Sequence, residues 1–374
     1  MKQYLDLSKK ILTEGEYEWS QRTQTGTLSL FGEKTTYDLQ EGFPLVSTKK
    51  VGWRLPLQEM LFFLQGENDL KAFNDKNMHI WDGNGFDFYL RRHDLNDKFP
   101  KHTPEWQEKF EWYMDHVKND ELFEEERTLG RVYGVQWRDW KVIENKKISS
   151  HDQIQSFLNK LSKNPSARSN LVTAFNPGEM PQMALPPCHM FFQSRVVEDD
   201  NRLDLLMYQR SCDTLLGVPF NTAQYAFLTK LIAREKDLKP GKFEHMYGNV
   251  HFYVGPKPRS EFLRNNENLK EFQGKVKEAQ TPKDYQEIQN WYLENAPAEP
   301  KGTEGTDHIP FILTQLGRNP KPKPTLDFKI EKNIGFWDAI NMDVRDVVKL
   351  SGYDPHPALV YNLNKKTIKP KMAV

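Results

Sequence analysis

Three short stretches concentrate the residue types that do chemistry: Leu185-Pro186-Pro187-Cys188-His189, Gln209-Arg210-Ser211-Cys212-Asp213 and Gly217-Val218-Pro219-Phe220-Asn221. Two prolines hold the backbone ahead of Cys188, and the apolar run after it reads as a strand, so the thiol opens a sheet edge where it can face a cavity. A free cysteine taken alone is more often an inert core residue. The guanidinium of Arg210 shifts that balance, because a nearby cation lowers the thiol pKa and raises the thiolate fraction that nucleophilic catalysis needs. His189 is adjacent, so on a strand it points to the opposite face and is a poor base for Cys188, which disfavours a Cys-His hydrolase.

Arg210 and Ser211 offer a charge-assisted fork and a hydroxyl suited to a phosphate dianion, and Arg22, in a turn-forming segment, can add a second fork. Isolated arginines otherwise make surface ion pairs. Strand alternation separates neighbours, so both residues serve one phosphate only if the strand ends or bulges there. The Asn221 amide complements a uracil edge, where N3 carries a proton and O4 accepts; cytosine presents the reverse. With Thr222 opening a helical pattern, a helix cap is an equally good local reading of Asn221.

The chain has 374 residues, 37% of them hydrophobic, enough for a sizeable core in one large or two ordinary domains. Lys plus Arg and Asp plus Glu are both 52, a formal charge of zero, which favours neither a nucleic acid nor an anionic membrane as partner and leaves a small substrate. Only Cys188 and Cys212 are present, and no apolar run approaches a membrane span or signal core. The expectation is a soluble, reduced, cytoplasmic protein.

The periodicity of the sequence supplies the elements that must hold these residues. A short helical pattern opens the chain, and Arg22 to Gly32 reads as loop into strand. Leu57, Met60, Leu61 and Leu64 give Leu55 to Gln65 a buried helical face with Glu59 in its middle, where a charge needs a reason. Residues 91–127 are strongly charged with interleaved aromatics, which predicts an inserted helical excursion. An amphipathic helix over His151 to Ser162 precedes a buried strand over Arg168 to Asn176. Met190 to Glu198 and Leu203 to Gln209 form a hairpin about Asp199-Asp200-Asn201-Arg202. Thr222 to Ile232 is helical and Phe243 to Val254 a strand. Glu261 to Glu294 is helical and polar, Asn295 to Thr306 a Pro/Gly-rich linker, Thr325 to Ile330 a strand, Ile334 to Leu350 helical, and an irregular tail starts at Gly352.

Together with Glu41-Gly42-Phe43-Pro44-Leu45, Ile80-Trp81-Asp82, Val132 to Arg138, His251 to Tyr253 and Tyr353 to Pro357, these stretches resemble the thymidylate synthase family, which includes the pyrimidine-nucleotide hydroxymethylases. The resemblance spans the chain apart from insertions at about 91–127 and 257–306. It implies one α/β (α+β) catalytic domain over 1–374, with a large mixed β-sheet, flanking helices and a homodimer formed through sheet faces. It also implies dUMP as substrate and 5,10-methylenetetrahydrofolate as cosubstrate, with no metal, nucleic acid or membrane. Residue by residue, Cys188 would add to C6 of the pyrimidine. Arg22, Arg210 and Ser211 would hold the phosphate, with Arg168 completing the partner subunit's phosphate site. His251 and Tyr253 would bind the ribose hydroxyl, and Gln209 belongs to the same substrate set. Glu59 would run proton transfers with ordered water, with Tyr133 beside it in the catalytic set, and Asn221 would select uracil. Trp81, Leu185, Asp213, Gly217, Phe220 and Val374 would line the pterin side, and Lys49 would meet the glutamate tail.

Three positions depart from the family pattern. A second tryptophan is replaced by Asn84, an amide able to hold water at the pterin wall. The histidine expected three residues beyond Tyr253 is missing, and a phosphate-site arginine appears as Ser169. An insertion aromatic such as Trp112, folding back, is the way these losses would be made good. The product turns on whether hydride or water meets the exocyclic methylene, so the expectation is 5-hydroxymethyl-dUMP, with dTMP as the alternative and a catalytically silent nucleotide-binding module behind both. Hydroxymethylated uracil is typical of some bacterial viruses, and a viral source would place the enzyme in the host cytoplasm.

Overall fold

Strands rich in β-branched and aromatic residues build a six-stranded sheet, seen in a computed structural model that describes all residues except 102, 364, 365, 373 and 374. In chain order its strands are β1 (Glu16–Ser20) and β2 (Thr25–Asp38), then, after a separate exposed hairpin of β3 (Trp140–Glu144) and β4 (Lys147–His151), β5 (Leu171–Thr173), β6 (His189–Val197), β7 (Arg202–Asp213) and β8 (Lys239–Tyr253). The spatial order is β1-β2-β8-β7-β6-β5. β7 and β8 run parallel and every other neighbouring pair antiparallel, so the sheet is mixed. The connection that makes β7 and β8 parallel is the Gly217–Glu235 helix, as a parallel pair requires a crossover.

That helix is apolar on nearly every side and therefore buried. It packs on β7, on β8 and on the Arg54–Gln65 helix. Full burial of Leu57, Met60 and Leu61 contributes about 1.5–3 kcal/mol each and fixes the second helix face-on to the first. Gly66, at φ 87°, ends the Arg54–Gln65 helix in the left-handed conformation that glycine favours. Gly134 serves a close approach: a Cβ there would meet Phe63 O at 2.5 Å. This contact presses the Tyr133–Arg138 helix against the Arg54–Gln65 helix and stacks Tyr133 on Phe63 at 4.8 Å.

On the other face of the sheet, Phe191, Leu206 and Tyr208 stay half-buried and Met246 is exposed, with Phe191 stacked on Tyr208 at 5.6 Å. Residues 91–127 hold the Pro104–Lys118 helix, started by Thr103, whose hydroxyl accepts from Trp106 N. Its Trp106, Phe110 and Tyr113 pack on Phe86 of the Asp82–Arg92 helix at 5.2, 5.5 and 5.3 Å. Residues 255–306 hold the Asn266–Glu278 and Pro282–Asn295 helices, the second opened by a Thr281/Asp284 capping box.

Several expectations change. The strand over Arg168 to Asn176 shrinks to three residues, because β5 is an edge strand with β6 as its one neighbour and Leu171 is exposed. The helix over Ile334 to Leu350 breaks into Phe336–Ile340 and Val344–Val347 and ends as the strand Val348–Ser351, which pairs with Thr325–Phe328. Asp343 caps the second piece, accepting from Arg345 N at 2.9 Å. The irregular tail contains a hairpin, Tyr361–Leu363 with Lys366–Ile368. Asn295 to Thr306 is no free linker: the Glu299 carboxylate accepts from Gly305 N, Asp307 N and Thr306 Oγ1 at 2.9, 2.9 and 3.0 Å.

Candidate active site

The β6 ladder reaches β7 only as far as Gln209, opposite His189. Beyond that point β7 keeps β8 as partner and loses β6, and there a cavity of about 1000 Å³ opens. Cys188, Arg210, Ser211, Asn221 and Gln209 line it, with Arg22, His251 and Tyr253. Glu59, Trp81, Asn84 and Tyr133 line it as well, as do Lys49, Leu185, Asp213, Gly217 and Phe220. Arg168 does not; it is exposed in the loop before β5. Val374 lies outside the described residues. β7 neither ends nor bulges at Ser211, contrary to the condition read from alternation. The irregularity lies in β6, between His189 and Phe191, and it is the vacated flank of β7 that lets Arg210 and Ser211 reach one cavity.

The Cys188 backbone is held on both sides. Its N–H donates to Tyr133 Oη at 2.8 Å, and its carbonyl accepts from Arg210 N at 2.8 Å. The Arg210 side chain braces the same loop, Nε donating to Pro187 O at 2.9 Å and Nη2 to Pro186 O at 2.8 Å. Burial pushes the Cys188 thiol above its ordinary value, and the cations of Arg210 and Arg22 pull it back only in part. The expected net lowering by Arg210 is thus corrected: in the ligand-free protein, desolvation of the sulfur outweighs the cation. His189 is buried with its pKa pushed down to about 3, and its Nδ1 is 2.7 Å from Tyr225 Oη, so it is engaged away from the thiol.

One backbone carbonyl orients a line of side-chain amides. Ser211 O can only accept, so the Gln209 atom 3.0 Å from it is Nε2. The same nitrogen donates to Asn221 Oδ1 at 3.0 Å, which turns Asn221 Nδ2 toward Gln224 Oε1 at 2.9 Å. Gln224 Nε2 then donates to Glu59 Oε2, and Trp81 Nε1 donates to Glu59 Oε1 at 2.7 Å. At the far end, His245, held well below its usual pKa by burial and so neutral, donates from Nε2 to Gln209 Oε1 at 2.9 Å. Asn221 is left with one lone pair and one hydrogen for a ligand, the pattern that meets N3–H and O4 of uracil. The helix begins at Gly217, so Asn221 stands inside it and is not its cap.

Glu59 sits where the two buried helices meet. Burial pushes its carboxyl up to about 7, with the Trp81 and Gln224 donors pulling the other way. Burial lowers Lys49 to about 8; its Nζ donates to Leu215 O, and nearby Asp213 opposes the shift. Burial also holds His251 below its usual value, and its Nδ1 meets Asn249 Oδ1 at 2.8 Å. Asn249, Phe175, Met180 and Met372 line the cavity without having been singled out from the sequence. Asn249 was findable, since it lies two residues before His251 on one strand face.

No histidine stands three residues beyond Tyr253, but a distant one packs beside it. His308, fully buried, meets the Tyr253 ring edge-on at 5.3 Å, its backbone N–H donates to Tyr253 O at 2.8 Å, and Val254 pairs with Asp307. Residues 255–306 loop out between Tyr253 and His308, which hid the pair from a reading by spacing. Trp112, in contrast, lies away from the cavity under the Lys109 ammonium, 3.1 Å from its ring. Asn84 is half-buried, and its side chain makes no hydrogen bond among the described residues. Among those residues, no group of histidine, cysteine, aspartate and glutamate is placed to hold a metal ion, and no helix is long and apolar enough to cross a membrane.

The sequence profile of thymidylate synthase matches residues 2–364. The thymidylate synthase of Listeria monocytogenes serotype 4a (strain HCC23) is 40% identical over 265 residues, 68% of this chain and 82% of that protein. That of Listeria innocua serovar 6a is similar to the same degree, 40% over 265 residues. The chain belongs to the thymidylate synthase family. It is a one-carbon transferase by that membership, and methylenetetrahydrofolate is the family's cosubstrate.

Proposed function

We propose that this chain is a thymidylate synthase proper, converting dUMP to dTMP through a Cys188 adduct at C6 of the pyrimidine. The observation that carries the reading is the amide line from Ser211 O to Glu59, which offers one acceptor and one donor on Asn221 to a ring beside the Cys188 sulfur. Arg22, Arg210 and Ser211 take the phosphate, and His251 with Tyr253 takes the ribose hydroxyl. Sulfur addition at C6 makes C5 the attacking carbon. Glu59, balanced near neutrality, gives and receives the protons at the ring through water. Asp213 Oδ2, buried and without a partner among the described residues, fits a pterin donor edge. Trp81, Leu185 and Phe220 fit its faces, and the Lys49 ammonium fits a glutamate carboxylate. When bound, the folate supplies the methylene carbon and, for dTMP, the hydride.

The case for the hydroxymethyl product rests on departures from the family pattern, Asn84 at the pterin wall and the histidine absent three residues beyond Tyr253 among them. His308 removes one of them, and the relatives carry the synthase name. Asn84 supports 5-hydroxymethyl-dUMP as the second reading, since an unpartnered amide at the wall can hold the attacking water. Weighing the nucleotide after incubation with dUMP and methylenetetrahydrofolate decides between them: dTMP in step with dihydrofolate absorbance supports the synthase, and 5-hydroxymethyl-dUMP without dihydrofolate overturns it. In the same assay Asn84→Trp lowers any hydroxymethyl share about ten-fold, a change of about 1.4 kcal/mol in the partition; an unchanged ratio clears Asn84 of that role.

Asn221→Asp tests base selection. The aspartate has no hydrogen for Gln224 Oε1 and sets two acceptors face to face, a cost of about 1–3 kcal/mol, so kcat/KM for dUMP falls roughly 10- to 100-fold while binding of dCMP improves. Parallel kinetics with dUMP and titration with dCMP read this out.

The whole chain is read as one catalytic domain carrying two inserted segments. It pairs through the half-exposed sheet face of Phe191, Leu206, Tyr208 and Met246, so that Arg168, outside its own cavity, completes the phosphate site of the partner subunit. Two free cysteines fit a reducing cytoplasm.

A further inference from the structure

Asp213 Oδ2 and His308 Nδ1 are buried polar atoms without a hydrogen-bond partner among the described residues, and they belong to neighbours. His308 Nδ1 stands 3.5 Å from Asp213 Oδ1. The other ring nitrogen, Nε2, lies 2.9 Å from Lys371 O. A carbonyl oxygen only accepts, so Nε2 carries a hydrogen. A neutral ring would then aim its Nδ1 lone pair at a carboxylate inside the protein, two acceptors face to face. One proton on Nδ1 turns that conflict into a charge-assisted contact.

The surroundings give this contact a purpose. Asp213 Oδ1 already accepts from Leu215 N at 3.0 Å and Leu216 N at 3.2 Å, so His308 secures the oxygen that faces the protein and leaves Oδ2 for a ligand. Lys371 is fastened by its own N–H to Gly305 O at 2.8 Å and by Nζ to Gly302 O at 3.1 Å, and the next residue, Met372, lines the cavity. His308 itself is delivered by a stiff end of the 255–306 segment. Arg259 Nε meets Asp307 Oδ2 at 2.7 Å with both side chains buried, and Glu299 holds the Asp307 N–H.

We propose that His308 is a positioning residue for the folate side of the site. With both ring nitrogens protonated, it holds Asp213 with Oδ2 toward the pterin donor edge and ties the tail that carries Met372 to the cavity. The proposal rests on the reading above that this cavity takes methylenetetrahydrofolate.

Two substitutions separate the ring's two duties. His308→Gln sets an amide donor where Nε2 stands and keeps the tie to Lys371 O, but leaves nothing opposite Asp213. His308→Asn does the reverse. His308→Gln is expected to raise KM for methylenetetrahydrofolate about ten-fold while the Kd for dUMP stays within about two-fold, and His308→Asn to raise that KM by less than His308→Gln does. An unchanged folate KM in His308→Gln, or folate KM and dUMP Kd rising together, overturns the proposal in favour of a merely structural histidine. Absence of turnover in the unsubstituted protein instead sinks the functional reading itself, so the two failures are distinct. Should neither variant fold, proton–nitrogen correlation spectra of the histidine-labelled protein decide: two protonated ring nitrogens at His308 support the proposal, and a bare Nδ1 ends it.

Discussion

Cys188→Ser is expected to lower turnover of dUMP by about four orders of magnitude or more and to leave dUMP binding within a few-fold. The two effects separate because the nucleotide is gripped by groups that do not use the sulfur: Arg22, Arg210 and Ser211 for the phosphate, Asn221 for the base. The loop geometry survives as well, since Tyr133 and Arg210 hold the backbone of residue 188. What is lost is the nucleophile. A hydroxyl gives up its proton far less readily than a thiol, and neither His189 nor the buried tyrosines compensate. His189, with its pKa pushed down to about 3, is occupied with Tyr225, and burial raises both Tyr133 and Tyr225 well above their ordinary values. Burial already works against the thiolate, so the arginine pair and the arriving substrate must supply the rest of the activation. A stopped assay with equilibrium titration reads out both quantities. Mass spectrometry adds an independent check: 5-fluoro-dUMP with methylenetetrahydrofolate leaves a covalent adduct on the unsubstituted protein and none on the variant. Undiminished turnover by Cys188→Ser would remove the thiol mechanism, and a silent nucleotide-binding module would show no adduct in either protein.

The parts of this site legible in the sequence are those whose chemistry and position lie together along the chain. Cys188, Arg210 and Asn221 announce themselves by residue type within short stretches, and Glu59 does so by being a carboxylate on an apolar helix. The long strands and the hairpin between β6 and β7 follow from alternation and a polar turn. What stayed hidden depends on distant segments meeting. No local rule reveals that Gln209, Gln224 and His245 orient Asn221, because the line crosses β7, β8 and the Gly217–Glu235 helix. His308 was hidden because residues 255–306 part it from Tyr253. The sign of the Cys188 shift was hidden because desolvation is a property of the packed surroundings, while the cation that opposes it is visible in the sequence. Short elements failed for a different reason. The Phe336–Ile340 and Val344–Val347 helices share one apolar period; the Asp343 cap starts the second, and the pairing of Val348–Ser351 with Thr325–Phe328 ends it.

Glu59→Gln is the second large effect, an expected fall in kcat of about a hundred- to ten-thousand-fold, together with loss of the pH limb near neutrality. Burial moves this carboxyl from its ordinary 4.5 to about 7, so at neutral pH both protonation states are populated and the group can give and take a proton in one catalytic cycle. An amide can do neither. The same shift sets the sign of a stability effect. The folded protein holds this proton more tightly than the unfolded chain, so the contribution of Glu59 worsens as pH rises from about 4.5 to about 7 and is level above that, a span on the order of 3 kcal/mol. Glutamine removes the dependence but brings its own cost. The carboxylate accepts from Trp81 Nε1 and Gln224 Nε2 together, whereas an amide turns its NH2 toward one of these two donors. Gln224 cannot rotate to help without breaking its bond from Asn221, so the base-reading amide loses its fixed orientation and the KM for dUMP rises along with the loss in kcat. Thermal unfolding at a series of pH values should therefore show the variant gaining on the unsubstituted protein between about pH 4.5 and pH 7, the window in which the unfolded chain releases a proton that the folded protein still holds. A gap in melting temperature that does not change with pH, or a variant that keeps the pH limb in kcat, would show that Glu59 is not the group that titrates.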